Sequence, residues 1–337
     1  MPESYHLTPD SLANLFTKLR ADGRRILAPV EREGRGELRE VQTPAEVATD
    51  SLQTLLGAKE TVFPRVERLL SFSLAAGPVQ LEDIEPSAVP TVLFGIRPCE
   101  ARAFQPLDAV FNWDTRDRFF NARMDALTVI SVGCTRSDEA CFCTSVGGSP
   151  LSRDGADLFL VPLDTGWYAE VLTERGEALR ALAPESFQPG NGADLEALAT
   201  CVNPRFDSNL LTARLPGMFD SAEWKTQSLR CVGCGACAYV CPTCVCFDIQ
   251  EEADAAGGDR LRCWDTCGSR LFTLHASGHN PRELQSQRWR QRVYHKFAYY
   301  PDRYGMLGCV GCGRCTRACP VDMNLGEHLT HAAEVGA

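Results

Sequence analysis

Two cysteine runs with identical spacing constrain this chain more than any other feature of its sequence. The first cysteine motif holds Cys231, Cys234, Cys237 and Cys241 before Pro242, and the second holds Cys309, Cys312, Cys315 and Cys319 before Pro320. Each run reads C-x2-C-x2-C-x3-C-P, which is the pattern of cubane [4Fe-4S] sites in two-cluster proteins. Structural zinc and disulfides are the alternatives. Evenly stepped cysteines that end in Cys-Pro, found twice, favour iron–sulfur clusters over both.

The same spacing predicts how two clusters divide the eight thiols. In paired motifs of this type the fourth cysteine ligates the other cluster. We therefore expect one cluster on Cys231, Cys234, Cys237 and Cys319, and the other on Cys241, Cys309, Cys312 and Cys315. The proline after each fourth cysteine ends the local helix and turns the chain away. Because each cluster takes up one electron at a time, the motifs indicate an electron-transfer protein.

The cysteine count predicts the cellular compartment, and the net charge argues against one class of partner. The chain has seventeen cysteines, an odd number, and its start MPESYHLTPD lacks an export signal. Both observations predict a reducing compartment, so we expect a cytoplasmic protein. No uncharged apolar run approaches the roughly 18 residues that span a bilayer, and membrane insertion is not expected. The formal net charge of −10 argues against a nucleic-acid partner.

Residues 282–303 are a local exception, because they mix arginines with tryptophan, tyrosine and phenylalanine. Such a composition also occurs on RNA-binding surfaces. The second cysteine motif follows this stretch at once, so we favour another interpretation. The aromatic side chains are expected to pack beside the second motif, while the cations offset thiolate charge or face another protein of the same complex.

The first 200 residues alternate between predicted strands and helices, whereas cysteines dominate the rest. This pattern predicts an α+β protein with two domains: an α/β domain at 1–200, and a mostly helical ferredoxin-like domain at 201–337 with an insertion at 244–308. Short apolar runs predict buried strands at 25–30, 90–96, 127–132 and 158–162. Helices are predicted at 8–21, with Thr8 as the cap, and at 45–56, 100–111 and 174–182.

Four further cysteines fall where two predicted strands end and in the loop that follows. Cys99 follows one strand, Cys134 follows the next, and Cys141 and Cys143 lie in the segment ACFCTSVGG. If the strands are parallel, both strand-end thiols emerge at the edge where open α/β sheets bind ligands. These four cysteines therefore predict a third iron–sulfur site, and buried free cysteines are the alternative.

Cysteines also crowd the segment between the two motifs. Cys244 and Cys246 follow the first motif, and Cys263 and Cys267 flank Trp264. They predict either a fourth metal site, with iron–sulfur or zinc, or packing around the neighbouring cluster. Cys201 has no partner in the sequence and is expected to be structural.

With both motifs, the segments CPTCVCFD, RCWDTC, IRPCEARAF and CFCTSVGG resemble one family of iron–sulfur electron-transfer subunits, over nearly the whole chain. The family includes the β subunit of cytoplasmic NAD(P)-linked nickel–iron hydrogenases of the sulfhydrogenase type, and the iron–sulfur relay component of the three-part anaerobic sulfite reductase. The resemblance implies an electron relay from a flavin subunit to a catalytic one. It extends to Cys99, Cys134, Cys141, Cys143, Cys244, Cys246 and Cys267 as cluster ligands, whereas Cys263 lies outside the pattern.

Substrate chemistry is expected in partner subunits, because the sequence shows no dinucleotide-binding glycine motif, no Walker loop and no catalytic triad pattern. The resemblance implies a flavin- and NAD(P)-binding partner and the small and large subunits of a [NiFe] hydrogenase. Segments RWRQRVYHKF and CVGCGRCTRACPVD favour the hydrogenase, and a siroheme sulfite reductase is the alternative partner. Two other hypotheses are direct reduction of a sulfur compound at an incompletely ligated iron, and a zinc-binding scaffold.

Overall fold

Two β-sheets organise this protein in the computed structural model, which describes residues 3–74, 77–190 and 192–334. The strands are β1 Ser4–Leu7, β2 Arg25–Arg32, β3 Arg35–Glu40, β4 Val66–Ser73, β5 Gln80–Asp83, β6 Thr91–Ile96, β7 Leu127–Val132, β8 Leu158–Leu163, β9 Gly166–Val171, β10 Gln188–Pro189, β11 Phe247–Ala253 and β12 Gly257–Trp264. The larger sheet has the order β10-β1-β9-β8-β7-β6-β2-β3, and the smaller has the order β11-β12-β4-β5.

Parallel strands form the centre of the larger sheet. Strand β2 pairs with β6, β6 with β7 and β7 with β8 in parallel, while the outer strands pair antiparallel. Every residue of β7 is buried, as expected for a parallel strand covered on both faces. The strands predicted at 25–30, 90–96, 127–132 and 158–162 are confirmed as β2, β6, β7 and β8.

Short helices connect and cover the sheets. They are α1 Pro9–Ala21, α2 Pro98–Arg102, α3 Phe104–Phe111, α4 Arg118–Asp125, α5 Glu174–Leu182, α6 Leu195–Leu198, α7 Ser208–Arg214, α8 Glu223–Gln227, α9 Ala236–Tyr239, α10 Gln285–Tyr294, α11 Tyr300–Tyr304, α12 Arg314–Arg317 and α13 Leu325–Glu334. The predicted cap of α1 is confirmed, since the Thr8 hydroxyl accepts a hydrogen bond from Ser11 N at 3.1 Å. Helix α5 confirms the helix predicted at 174–182.

The helix predicted at 45–56 is wrong. Only a 3₁₀ turn at Pro44–Glu46 forms, and the chain then runs on without a regular helix. The buried Arg97 explains the difference, because its Nη2 donates to the carbonyls of Thr49 at 2.8 Å and Ser51 at 2.5 Å. Those carbonyls are therefore held by a side chain from another part of the fold instead of by a helix.

The helix predicted at 100–111 is interrupted at Ala103, which separates α2 from α3. Pro106 accounts for the interruption. It has no N–H group and cannot donate to the carbonyl of Arg102, four residues earlier. The two short helices nevertheless cover the predicted range.

The smaller sheet joins two distant parts of the sequence. Strand β12, between the cysteine motifs, pairs antiparallel with β4, and β11 continues the hairpin. A buried ion-pair network fixes this contact: Arg262 on β12 bonds to Glu67 on β4 and, at 2.5 Å, to Asp117 before α4. This sheet draws strands from both sides of the predicted boundary at residue 200. The division into 1–200 and 201–337 stays a prediction.

Helix α10 continues through one π-helical turn, His295–Tyr299, into α11. This long helix is the basic and aromatic stretch, and it buries Trp289, Tyr294, Phe297 and Tyr300. Its aromatic face forms a second core with residues of both cysteine motifs, α7, α8 and α13. Within the described residues, no helix combines the length and the apolar character needed to cross a bilayer.

We expect the substitution Arg262→Met to reduce the free energy of unfolding by about 3 kcal/mol, because it removes one of the two guanidinium partners of the buried carboxylate of Glu67, the other being that of Arg123, and also the ion-pair partner of Asp117. The control is Arg260→Met on the same strand, whose guanidinium pairs with Glu251 in solvent, and we expect a cost below about 1 kcal/mol. Anaerobic urea unfolding followed by circular dichroism gives both values. Equal costs would contradict the assignment of a structural role to the network.

Candidate iron–sulfur sites

The two cysteine motifs have the same local structure. Each is a loop followed by a single-turn helix, α9 in the first motif and α12 in the second, and each loop carries two left-handed glycines. These glycines are Gly233, Gly235, Gly311 and Gly313. Left-handed backbone is costly for residues with a Cβ, so the glycines allow the tight loops that bring three cysteines to one side.

The first-motif cavity is lined by cysteines from both motifs. They are Cys231, Cys234, Cys237 and Cys319, with Cys267 and Cys315 also in the wall. Two groups donate hydrogen bonds to the sulfurs: Gln285 Nε2 to Cys231 at 3.0 Å, and Met323 N to Cys319 at 3.2 Å. The structure thus places Cys319 with the first three cysteines of the other motif, where crossed pairing expects it. Their role as ligands stays a prediction.

The second-motif cavity has the complementary lining. Its cysteines are Cys241, Cys309, Cys312 and Cys315. Cys241, Cys309 and Cys312 are buried, and Gly311 N lies 3.5 Å from the sulfur of Cys309. Burial raises the pKa of the Cys309 thiol to about 12 and that of Cys315 to about 11. As free thiols, both groups would be neutral at pH 7.

The N-terminal cavity brings the four cysteines of the predicted third site together. Its cysteines are Cys99, Cys134, Cys141 and Cys143, with Cys312 of the second motif at its edge. Cys99 follows β6 and Cys134 follows β7, and these strands are parallel neighbours as the prediction required. Burial raises the pKa of Cys134 to about 12 and that of Cys143 to about 11.

Direct backbone contact joins the N-terminal cavity to the second motif. Phe142 N, between Cys141 and Cys143, donates to the carbonyl of Gly311 at 2.9 Å. A Cβ on Gly311 would lie 2.5 Å from Phe142 O, and one on Gly313 would lie 2.5 Å from Ala140 O. Only glycine permits so close an approach, which explains these two residues beyond their left-handed backbone.

Side chains strengthen the same junction. Gln53 Nε2 donates to the carbonyl of Cys312 at 2.8 Å and lies 3.6 Å from the sulfur of Cys99. Arg317 on α12 bonds to Asp138 at 2.5 Å and to the sulfur of Cys141 at 3.2 Å. The residues around the two cavities are therefore joined by side-chain as well as backbone hydrogen bonds.

The three cavities lie in a row. Cys315 lines both the first-motif and the second-motif cavity, and Cys312 lines both the second-motif and the N-terminal cavity. Each cavity in the series thus shares a lining cysteine with the next. Such adjacency is the arrangement that successive electron transfers require.

Cys244, Cys246 and Cys267 lie beside this row. A hydrogen bond from Cys267 lowers the pKa of Cys246 to about 6, and Cys244 is hydrogen-bonded to Cys241 of the first motif. Across the described residues, no group of three or more Cys, His, Asp or Glu converges on one position as a single metal ion would require. The three thiols are neighbours, and their ligation of a metal stays a prediction.

Cys263 and Cys201 lie apart from these groups. Cys263 is opposite Asp248 and Val66 in the smaller sheet, and burial and the carboxylates of Glu252 and Asp248 raise its pKa. Its side chain points away from that of buried Trp264, since neighbours on a strand face opposite sides. Cys201 is exposed.

Three buried cations surround the cysteines. Lys59 Nζ donates to Cys244 O at 2.9 Å and lies over the ring of Trp264. Arg292 lies 3.5 Å from the sulfur of Cys244 and donates to Cys237 O at 2.9 Å. Lys296 Nζ donates to Thr243 Oγ1 at 2.9 Å and to Gly308 O at 2.7 Å. All three side chains are almost fully buried.

The charges of these cations test whether the cysteines fit a cluster. In the described part of the chain, no carboxylate is within ion-pairing distance of Lys296, and Arg292 Nε has no hydrogen-bond partner. Burial opposes the charge of Lys296, but negative charge on the neighbouring cysteine sulfurs, that of Cys241 first, raises its pKa above the ordinary value. Iron keeps bound cysteines in the thiolate form, whereas free buried thiols would leave the cations unbalanced. The residues therefore fit iron–sulfur clusters.

Several polar residues of the sites had not been identified in the sequence. Lys59 and Gln53 carry no local signal, and Gln53 fell within the wrongly predicted helix. Glu100 and Arg314 form a buried ion pair at 2.8 Å between α2 and α12. Their positions, next to Cys99 and between Cys312 and Cys315, are a signal that could have identified them.

Comparisons with known proteins agree with the cysteine motifs. Residues 230–323 match the family described as 4Fe-4S dicluster domain. Over 328 residues the chain is 30% identical to a protein of Pyrococcus furiosus named sulfhydrogenase 2 subunit beta, and the alignment covers 95% of this chain and 94% of that protein. No solved structure matches the chain. The prediction of two [4Fe-4S] clusters is confirmed by the dicluster match.

A pair of serine substitutions tests the group beside the row. Cys267→Ser is expected to reduce bound metal, because Cys267 contacts Cys246 and lines the first-motif cavity. The matched control Cys263→Ser is expected to leave metal content unchanged, because Cys263 lies on the smaller sheet away from other cysteines. Iron and zinc are counted by mass spectrometry of the anaerobically purified full chain. Equal losses in both variants would contradict the grouping.

We expect Lys296→Met to lower the midpoint potential of the second-motif cluster, because a cation favours the more negative reduced state. Removing a unit charge from a buried site is worth on the order of 100 mV for a one-electron couple. EPR-monitored redox titration measures the shift, with Lys225→Met as a solvent-exposed control. An unchanged potential at full iron content would contradict the electrostatic role of Lys296.

Proposed function

Because the chain belongs to the sulfhydrogenase β-subunit family of iron–sulfur proteins, we propose that it relays single electrons between a flavin subunit that oxidises NAD(P)H and the catalytic subunits of a nickel–iron hydrogenase. It is an iron–sulfur electron-transfer subunit. The relative is named as one subunit of a sulfhydrogenase, and a single-subunit role for this chain would leave its row of sites without a donor or an acceptor. The thiol-rich composition supports a cytoplasmic complex.

The row of cysteine-lined cavities carries this proposal. Cys315 and Cys312 connect three cavities in series, from the first motif to the N-terminal cysteines. A bound [4Fe-4S] cluster supplies one-electron chemistry, whereas a flavin carries the two electrons of a hydride. A protein with several such sites in line is suited to divide that pair and pass the electrons singly.

The protein's own residues keep the sites in place and balance their charge. Gly311 and Phe142 hold the second motif against the N-terminal cavity through a backbone hydrogen bond. Lys296 and Arg292 place positive charge beside the cysteines, where it stabilises thiolates and any further negative charge on the sites. Because these groups are packed and buried, they need little rearrangement when the charge of a site changes.

The cysteines divide into four sites within this proposal. Cys231, Cys234, Cys237 and Cys319 hold one [4Fe-4S] cluster, and Cys241, Cys309, Cys312 and Cys315 hold the other. Cys99, Cys134, Cys141 and Cys143 hold a third iron–sulfur cluster. Cys244, Cys246 and Cys267 are ligands of a fourth site that holds iron–sulfur or zinc. Cys263 and Cys201 are not ligands.

Cys312 is the residue whose loss tests the relay most directly, because it lines two successive cavities. Cys312→Ala is expected to abolish hydrogen-driven reduction of NAD(P)⁺ by the assembled complex. Viologen reduction by the hydrogenase subunits and NAD(P)H oxidation with an artificial dye should persist, since each partner then bypasses the chain.

Cys201→Ala is the control for this measurement, because Cys201 is exposed and none of the three cavities contains it. It should retain the coupled reaction. Full coupled activity of Cys312→Ala at wild-type complex composition would exclude the relay.

Metal analysis of the complex purified anaerobically from its native host identifies the partners. Nickel, a flavoprotein and about 12 iron atoms assignable to this chain, at four per cluster, are expected for the hydrogenase relay with three clusters. Siroheme without nickel would instead assign the chain to a sulfite reductase. Zinc retained in the Cys263→Ser variant and lost in Cys267→Ser would assign zinc to the fourth site.

A further inference from the structure

Four of the five most exposed large apolar side chains in the described residues lie in segments around the first-motif cavity. In the described residues, five such side chains are between 61% and 75% exposed: Leu81, Leu229, Val232, Leu271 and Leu284. Leu81 lies on β5 of the smaller sheet. The other four belong to the three segments that border the first-motif cavity.

These segments meet at the opening of that cavity. Val232 lines it, as do Gly268, close to Leu271 in the chain, and Gln285, next to Leu284. Arg288 ties two of the segments together, because its Nε donates to Gly268 O at 3.1 Å and its Nη1 donates to Glu283 O at 2.8 Å. Among the eight motif cysteines, only Cys234 is exposed, and it lines the same cavity. Each of these three segments therefore carries an exposed apolar side chain in or next to the lining of the cavity that holds the exposed Cys234.

Four arginines lie within or next to these segments in the chain. They are Arg230, Arg270, Arg282 and Arg288, of which Arg288 lines the cavity. Glu283 forms a 3.4 Å ion pair with Arg270. Arg270 is close enough to Arg288 to lower its pKa, in addition to the larger effect of burial. A chain with a net charge of −10 thus presents a positive rim at this opening.

We propose that residues 229–234, 268–271 and 282–288 form the docking surface for the partner protein that exchanges electrons with the first-motif site. The proposal rests on the relay function. The partner fitted by this surface is a redox protein with an apolar patch bordered by carboxylates. Apolar contact at the centre excludes water, and complementary charge at the rim orients the approach.

The position of the patch favours a protein partner over an anionic membrane or a second copy of this chain. Apolar contact helps electron transfer to a redox partner only if the redox centre of that partner comes close to a cluster. The patch lies at the exposed end of the row of cavities, where this is possible. A membrane or an identical chain would gain nothing from that placement.

The experiment compares full-chain variants purified anaerobically with the complex from the native host. We expect Leu271→Glu/Leu284→Glu to weaken retention of one partner protein about 30-fold, since acidic side chains replace the apolar contact and repel carboxylates. The control is Leu81→Glu, an equally exposed leucine on β5, which should retain all partners. Iron content and the EPR spectrum of the isolated chain report whether the clusters are intact.

A charge-reversal pair makes the test independent of the leucines. Arg270→Glu/Arg282→Glu should weaken association at low salt and remove most of its salt dependence, because screening acts on the attraction of the rim. Arg68→Glu on β4, also exposed, is its control. If the leucine variant loses iron, the arginine pair decides the outcome.

Three results would overturn the docking surface. Retention of every partner by both double variants is one. The second is that the substitutions abolish binding to phosphatidylglycerol vesicles while every partner protein is retained. The third is that they abolish a homodimer of this chain while every partner protein is retained. These outcomes are separate from failure of the relay, because the relay fails only if Cys312→Ala keeps the coupled reaction.

Discussion

Charge balance around buried cysteines is the constraint on which the rest of this structure depends. Lys59, Arg292 and Lys296 are buried beside thiols without carboxylate partners in the described residues, and a buried unpaired cation is costly. Thiolates held by metal supply the missing negative charge, so the polypeptide and its clusters form one electrostatic unit. Folding of such a protein is coupled to metal binding, because neither the cations nor the cysteines are satisfied alone.

The cysteine sites also determine how distant parts of the chain pack. The loop with Cys141 and Cys143 lies against Gly311 and Gly313, and the buried pair of Glu100 and Arg314 crosses the same junction. In addition, the segment between the motifs adds β11 and β12 to a sheet with β4 and β5. Both contacts join the halves of the sequence, and the N-terminal sheet serves as a support for the row of sites.

The sequence predicted those features that local patterns encode. Continuous apolar runs predicted β6 and β7, and their parallel pairing placed Cys99 and Cys134 at one edge of the sheet. The helix at 45–56 was wrong because Arg97, remote in sequence, binds its carbonyls and overrides local preference. The position of Lys59 and the pairing of the smaller sheet depend on contacts between distant segments, and no local pattern reports such contacts. The lack of a family pattern at Cys263 separated it from Cys267 without structural information.

The π-helical turn at His295–Tyr299 gives the second motif an unusual anchor. Pro301 has no N–H group for the preceding turn, so the carbonyl of Lys296 is free to accept from Gly308 N at 2.9 Å, while Lys296 Nζ donates to Gly308 O at 2.7 Å. Lys296 thus bonds to both the N–H and the carbonyl of Gly308, the residue immediately before Cys309. The π-helical turn therefore fixes the position of a cluster ligand. A substitution at Pro301 would change the position of Cys309, although the two side chains have no chemistry in common.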